Sequence, residues 1–294
     1  MSADDYQDIL STEDCVLDAL TKNVVIGAAM NYGVEQIKNF VLSFRKYNRH
    51  DDIILIYNLE QSSRIEDFAK KHNITLVSFE PCDKLPIHVV ASRFLKYLDI
   101  VTQNEEYSNY LLADVRDVFF QSNPFANLPN DKEYLYMFTE DPAVPIDIEE
   151  HHIRMISRLF GAATLDKFKD KKIICSGTIL GTRSKMMVFL DIFARYLVEI
   201  KNKNPNICHE MLLDQVITNH ICYLQTFGSE IEIKDNGDIV GTIGHCITHP
   251  DHSGDMKLEN DVIYLDGEVP AIIHQYDRSP ELFEHFSKVY SYVN

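Results

Sequence analysis

The chain predicts an α/β fold with a mostly parallel central sheet, and three observations carry that expectation. Continuous apolar runs of strand length recur along the sequence. Amphipathic stretches of helix length separate them, and the polar connections between are short. With 294 residues and 45% apolar content the chain can bury a full core. No repeat, low-complexity segment or linker-like stretch divides it, so a polar leader over 1–21 and one domain over 22–294 are expected.

Val24 to Met30 is an uninterrupted apolar run, as in a strand covered on both faces, and it ends in the small pair Ala28-Ala29. Asn31-Tyr32-Gly33 then turns into a helix whose Val34, Ile37, Phe40, Val41 and Phe44 recur at three-and-four spacing. Asp51-Asp52 introduces a second strand, Ile53 to Tyr57. Ser62-Ser63 caps a helix through Lys71, and Ile74 to Phe79 makes a third strand. Pro81 and Pro86 punctuate the next turn before a helix from about Val89 to Val101, with Arg93, Lys96 and Asp99 along it. The fourth strand, Tyr110 to Leu112, delivers Asp114, Arg116 and Asp117 and returns at once to Val118-Phe119-Phe120, a charged loop expected at the edge of the first, strand–helix half of the chain.

Tyr134 to Phe138 is a further strand, ending in Thr139-Glu140-Asp141-Pro142, and Pro145 to Lys172 reads as irregular to helical. Ile173-Ile174 leads into Cys175 to Gly181, a strand with glycine at both ends, Gly177 and Gly181, and Ser184 opens a long helix to about Ile200. Asn206 begins another helix, with Glu210, Asp214 and Gln215 inside it and Met211, Leu212, Val216 and Ile217 on its apolar face. Short β segments follow at Glu230–Ile233 and Ile239–Ile243, with a turn at Asp235-Asn236-Gly237 and then a polar loop from His249 to Asn260, and a small antiparallel β region is expected beside the main sheet. Ala271 to Ile273 is the last apolar strand and presents His274, Gln275, Asp277 and Arg278. Ser279-Pro280-Glu281 has the cap, first-turn proline and early acid of a closing helix to about Tyr292.

Bulk charge narrows the partners. A formal net charge of -17 argues against nucleic acid and anionic membrane, both of which need a basic footprint. An anionic small ligand needs only local cations, backbone N–H groups or a metal. Cys15, Cys82, Cys175, Cys208, Cys222 and Cys246 show no C-x-x-C pairing and read as reduced, mostly buried thiols. No apolar run reaches membrane-span length and no secretory pattern precedes the acidic start, so no transmembrane segment and a cytoplasmic location are expected.

The charged loop after the fourth strand is the centre of the reading. Ligands of open α/β sheets bind outside the carboxyl ends of the strands, where Asp114 and Asp117 sit. Two carboxylates this close repel, and settle only with a cation between or beside them: Arg116, or a hard divalent metal. The alternative is a structural turn in which Arg116 pairs with one or both aspartates.

The ordered motifs AAMNYG, Arg93 ahead of the acidic strand, LLADVRD, ICSGTILGT, LLDQV and IIHQYDR span roughly Val24 to Arg278. The set resembles the GT-A fold glycosyltransferases, in layout near the glycogenin-like sugar-nucleotide transferases and the small transferases of large algal viruses. The resemblance implies a GT-A type, Rossmann-like sheet, with a nucleotide-binding half at about 22–125 and a sugar and acceptor half at about 126–294. It implies transfer of a hexosyl or pentosyl group from a nucleoside-diphosphate sugar, a UDP-sugar first, to a hydroxyl of a glycan or glycoprotein, with Mn²⁺ ahead of Mg²⁺ as cofactor.

Carried over by position, the metal falls on Asp114, Asp117 and His274. Arginine cannot be a ligand, so the family's D-x-D becomes D-x-x-D here, and Arg116 is free to act as a cation on the diphosphate. Tyr32 would stack on the base beside Ala28, Ala29 and Asn31. Arg93, with Arg116 or Arg278, would steady the diphosphate, and Ser176-Gly177 would flank the donor sugar. Asp214 and Gln215 correspond to the acid and amide near the reacting carbon, with Glu140 or Asp141 a second source of a base.

Each has a plainer alternative: a buried structural histidine at 274, a half-exposed loop tyrosine at 32, a solvated helix face for Arg93 and Lys96, a bulge at Gly177, a solvent-facing Asp214. His151-His152 points to two faces of one helix and reads as a surface or acceptor-loop feature. The acceptor would enter over Asp141 to Lys172 and the loop before Val262. Two other classes stand beside a transferase. A non-catalytic sugar-nucleotide binder of the same fold would bind without metal and release no nucleoside diphosphate. A sugar nucleotidyltransferase would place a basic, glycine-rich loop after the first strand, and AAMNYGVEQ has no lysine or arginine there.

Overall fold

The computed structural model describes residues 22–58, 62–79, 87–224, 231–250 and 254–291. The leader over 1–21, the Pro81 and Pro86 turn, Glu230, Cys15 and Cys82 lie outside them. The chain begins with three strand–helix units: β1 (Asn23–Ala28), α1 (Val34–Tyr47), β2 (Asp52–Tyr57), α2 (Ser62–Lys71), β3 (Ile74–Ser78) and α3 (Val89–Gln103). β4 (Asn109–Ala113) and the short β5 (Val118–Phe120) flank the charged loop. β6 (Leu135–Thr139), α4 (Glu150–Phe160), α5 (Ala162–Phe168), β7 (Ile174–Thr182), α6 (Arg183–Lys203), α7 (Leu213–Tyr223) and β8 (Ile231–Lys234) follow. The chain closes with β9 (Val240–Thr242), the single-turn α8 (Gly244–Thr248), a hairpin of β10 (Met256–Glu259) and β11 (Val262–Leu265), then β12 (Ile272–His274) and α9 (Pro280–Val289).

The main sheet has the order β3-β2-β1-β4-β7-β6-β8, and β7 alone runs against its neighbours. The expected mostly parallel α/β sandwich is therefore present as a single domain. β4 is the last strand of the run β3-β2-β1-β4, so the charged loop lies at the edge of that half, as expected, and near the middle of the whole sheet. The reason is β7, which pairs with β4 on the side away from β1 and carries β6 and β8 with it.

The period-2 alternation of the buried strands builds one core on each face. Val24, Ile26, Tyr110 and Leu112 face one cluster with Phe94 of α3, Phe189 and Phe193 of α6 and Val216 of α7. Val25, Leu111 and Ala113 face the other, with Phe40 and Phe44 of α1. A third cluster packs Phe119 and Ile273 against Tyr276, Phe286 and Tyr290. It holds a second, three-stranded sheet, β5-β12-β9, against the body, and Gln121 fastens β11 to it through Ile263 and Pro270.

Three local expectations change. The helix expected from Asn206 is a 3-10 turn (Pro205–His209) followed by the separate α7, and Met211 is 70% exposed in the break between them, away from the apolar face assigned to it. The polar loop before Val262 contains β10, whose residues are too polar and exposed to show a strand pattern in sequence. Gly177 lies inside β7 and not at its end. Cys175, Cys208, Cys222 and Cys246 are buried and form no disulfide, as expected. Among the described residues no helix is long and apolar enough to cross a membrane.

Candidate metal centre

Two strand registers assemble the site. β4 pairs with β7 so that Ala113 faces Thr178, which sets Asp114 beside Gly177, and the Asp114 N–H donates to Gly177 O at 2.7 Å. β12 pairs with β5 so that His274 faces Val118, next to Asp117, and the Gln275 N–H donates to Asp117 O at 2.8 Å. Gly27 makes room for the loop between them: a Cβ there would fall 2.3 Å from Val115 Cγ2. His274 Nε2 stands 3.7 Å from Asp114 Oδ2 and 3.5 Å from Asp117 Oδ2, although 160 residues separate Asp114 from His274 in sequence. One ligand-type atom from each of the three lies within 4.8 Å of the other two.

The set has the marks of a cation cradle. His274 is 1% exposed, and its Nε2 is buried without a hydrogen-bond partner, aimed at the two carboxylates. Its other nitrogen, Nδ1, lies 3.4 Å from both Cys175 Sγ and Thr242 Oγ1. Such contacts orient a ligand imidazole and leave its far lone pair free. The wall opposite is Gly177, where a Cβ would sit 2.6 Å from His274 Cε1 and 2.8 Å from Asp114 Oδ2. Two carboxylates and one imidazole are donors that suit Mn²⁺ or Mg²⁺.

A chain of charged contacts runs inward from Asp114. Arg93, 8% exposed, donates through Nη1 to Asp114 Oδ1 and through Nη2 to Asp214 Oδ2 at 3.2 Å, so it is not on a solvated face. Asp214, in the first turn of α7, also accepts from Ser176 Oγ at 3.0 Å. Burial raises the Asp114 carboxyl, but Arg93 and His274 outweigh it and hold the group down to about 2. For Asp214, burial wins over Arg93, and the carboxyl is pushed up to about 6. Burial also opposes charge on His274, yet Cys175, Asp117 and Asp114 raise that imidazole well above its ordinary value. Gln215 Nε2 is held by Glu140 Oε1 at 2.6 Å and by Ile174 O at 3.3 Å.

The remaining predicted residues spread around this core. Tyr32 is half-buried, and Arg116, Asp117, Asp114 and Arg93 all act on its hydroxyl, which burial raises. Ala28 is half-buried and Ala29 buried, with the Ala29 N–H taken by Ile56 O. Asn31 adopts φ 65° and exchanges two hydrogen bonds with Asn58. Arg116 donates to Asp277 through Nε and Nη2, at 2.8 and 2.5 Å, and remains 48% exposed. The structural-turn alternative had it pairing with Asp114 or Asp117; Asp277, 161 residues away, takes that place.

Asp141 is 2% exposed, with Oδ1 accepting from the Ala143 N–H, so one carboxylate oxygen serves a turn. Arg278 is exposed on the 3-10 turn beyond Asp277. His151 is exposed and His152 buried, the two faces expected. Thr242 was not among the residues read from sequence, and nothing local marks it, because it reaches His274 only through the β9–β12 pairing.

No family model and no curated protein matches the sequence. Among solved structures the chain is similar to the glycosyltransferase GlyE of Streptococcus pneumoniae TIGR4, with a TM-score of 0.52 and 17% identity over 91% of this chain and 60% of that one. The likeness is one of fold. The apo form of GlyE gives a TM-score of 0.51 at the same identity and coverage. The chain thus spans about 60% of the length of these solved proteins.

Proposed function

We propose that the chain is a metal-dependent glycosyltransferase of GT-A type, moving a sugar from a nucleoside-diphosphate sugar, a UDP-sugar first, to a hydroxyl of a glycan or glycoprotein. The observation that carries the reading is the convergence of Asp114, Asp117 and the unpartnered Nε2 of His274 over Gly177. These three residues would hold a divalent ion, Mn²⁺ ahead of Mg²⁺, which supplies Lewis-acid stabilisation of diphosphate oxygens when bound.

The chain's own residues take defined parts in this proposal. Arg93 bridges Asp114 and Asp214 and keeps Asp114 ionised. Arg116, tethered by Asp277 yet half-exposed, offers its guanidinium to the diphosphate beside Tyr32, whose ring receives the base. Asp214 and the amide of Gln215, locked by Ser176 and Glu140, orient the hydroxyls of the transferred sugar. Asp141 and Glu140 close the far side of β6 and remain the second source of a base.

The test is a screen of UDP-sugars and other nucleoside-diphosphate sugars, with and without Mn²⁺, that follows release of the nucleoside diphosphate. Mn²⁺-dependent release that disappears in Asp117→Ala is expected. Undiminished metal-dependent turnover in that variant would remove Asp117 from the site. Uptake of sugar nucleotide without metal and without release would favour a non-catalytic binder.

A further inference from the structure

At the opposite end of the same strands lies a cleft of about 880 Å³ that the proposed reaction does not use. It opens at Asn23 and Asn109, the first residues of β1 and β4, whereas the carboxylate site follows their last residues. A five-residue strand rises roughly 16 Å, so the two sites lie at opposite ends of the central strands. We propose that this cleft binds a neutral oligosaccharide.

Its floor is a relay of amides. Tyr134 Oη donates to Asn109 Oδ1 at 2.7 Å, Asn109 Nδ2 to Asn23 Oδ1 at 2.8 Å, and Asn23 Nδ2 to Asp51 Oδ1 at 3.0 Å. Asn23 and Asn109 are register partners, and asparagine is depleted in strands, so two of them opening neighbouring strands are there for their side chains. Asn109 is 8% exposed. The relay uses one N–H of each amide and one oxygen of Asp51, which leaves the second N–H of both amides and the second carboxylate oxygen to serve other groups. Asn48, 3% exposed, also lines the cleft and keeps its Oδ1 without a partner.

The walls are preformed. Tyr47, 36% exposed, offers an aromatic ring, the surface on which sugar C–H faces pack. The facing loop is pinned by Phe125, whose ring meets Phe44 edge-on at 6.4 Å, and by the Phe125 N–H bond to Asn123 Oδ1. That loop exposes Asn127 in a left-handed turn, φ 60°. Alternating donors and acceptors of uncharged amides match vicinal hydroxyls. The charged lining is mixed: Lys22 is paired with Asp52 at 2.8 Å, and Asp51 stands in the floor with Arg49 and His50 at the cleft, so the uncharged amides set the recognition.

The proposal stands apart from the transferase reading, and its test is run where that site is disabled. Saturation-transfer NMR on the full-length Asp117→Asn protein, with maltopentaose, cellopentaose and chitopentaose at millimolar concentration, is expected to show transfer to at least one. Titration calorimetry with that sugar should then weaken by about tenfold or more in Tyr47→Ala and in Asn127→Gly, which keeps the turn. Thermal melts of both variants serve as the folding control. Transfer to none of the three sugars would overturn the proposal. So would binding that survives both substitutions, or binding to the wild type that is lost in Asp117→Asn, which would assign the sugar to the carboxylate site.

Discussion

Replacing Gly177 by alanine puts the metal-centre reading under direct strain. The new Cβ would lie 2.6 Å from His274 Cε1 and 2.8 Å from His274 Nε2 and Asp114 Oδ2, where carbon contacts prefer about 3.5–4.0 Å. Neither neighbour can step back easily. His274 is 1% exposed with its other edge against Cys175 and Thr242, and Asp114 is tied to Arg93. Overpacking of this kind costs about 1–3 kcal/mol, which for a domain of this size lowers the melting temperature by roughly 2–10 °C. The larger effect is on the cation, because the methyl group occupies the space between its ligands. Calorimetric melts with and without Mn²⁺ measure both: a ligand at 100 times its Kd should raise wild-type stability by about 2.7 kcal/mol. Gly177→Ala should melt lower and show almost none of that rise. An alanine variant with wild-type stability and the full Mn²⁺ response would refute the claim that the three donors and this glycine enclose one ion.

Removing Arg93 tests the inner charge chain. Arg93→Met leaves Asp114 and Asp214 buried without their shared partner and should cost about 3–5 kcal/mol in urea unfolding. The Asp214 carboxyl, already pushed up to about 6, rises further and the Asp114 carboxyl loses the largest influence holding it down, so by linkage the loss should be smaller at pH 5 and grow towards pH 8. His220 stacks on Phe160 at 3.5 Å, and burial depresses its imidazole from 6.5 to about 4. The stability that its neutral form supports is therefore complete above 6.5 and lost as the pH falls towards 4. Thermal melts across that window should show a shallower acid limb in His220→Phe than in wild type. Gln121→Leu should destabilise by about 2–4 kcal/mol in urea, because it strips partners from Ile263 N–H, Ile263 O and Pro270 O at once.

The elements were legible where the physics is short-ranged. Strands covered on both faces must be apolar throughout, so β1, β2 and β4 stand out as runs. The Ser279-Pro280-Glu281 start of α9 is visible because a cap acts within one turn, and Ser279 Oγ does accept from the Leu282 N–H. β10 was hidden, since an exposed strand has no apolar face to display. Met211 misled because its apolarity implied a helix face, while Pro205 to His209 used up the helical turn before it.

For the site, sequence supplied the acids as charges abruptly ending a buried strand, and supplied His274 by the order of its motifs. It could not show that Arg93 would leave solvent to bridge Asp114 and Asp214, that Arg116 would take Asp277, or that Thr242 would face His274 Nδ1. Those facts belong to strand registers, β4 on β7 and β12 on β5 and β9, and to the packing of α3 and α7 on the sheet, which join residues tens to more than a hundred positions apart. By itself the sequence determined the alternation of elements and which side chains carry charge at strand ends, because periodicity and capping are local. Only the tertiary structure decided which of those charges meet, because register is chosen by the packing of the whole sheet.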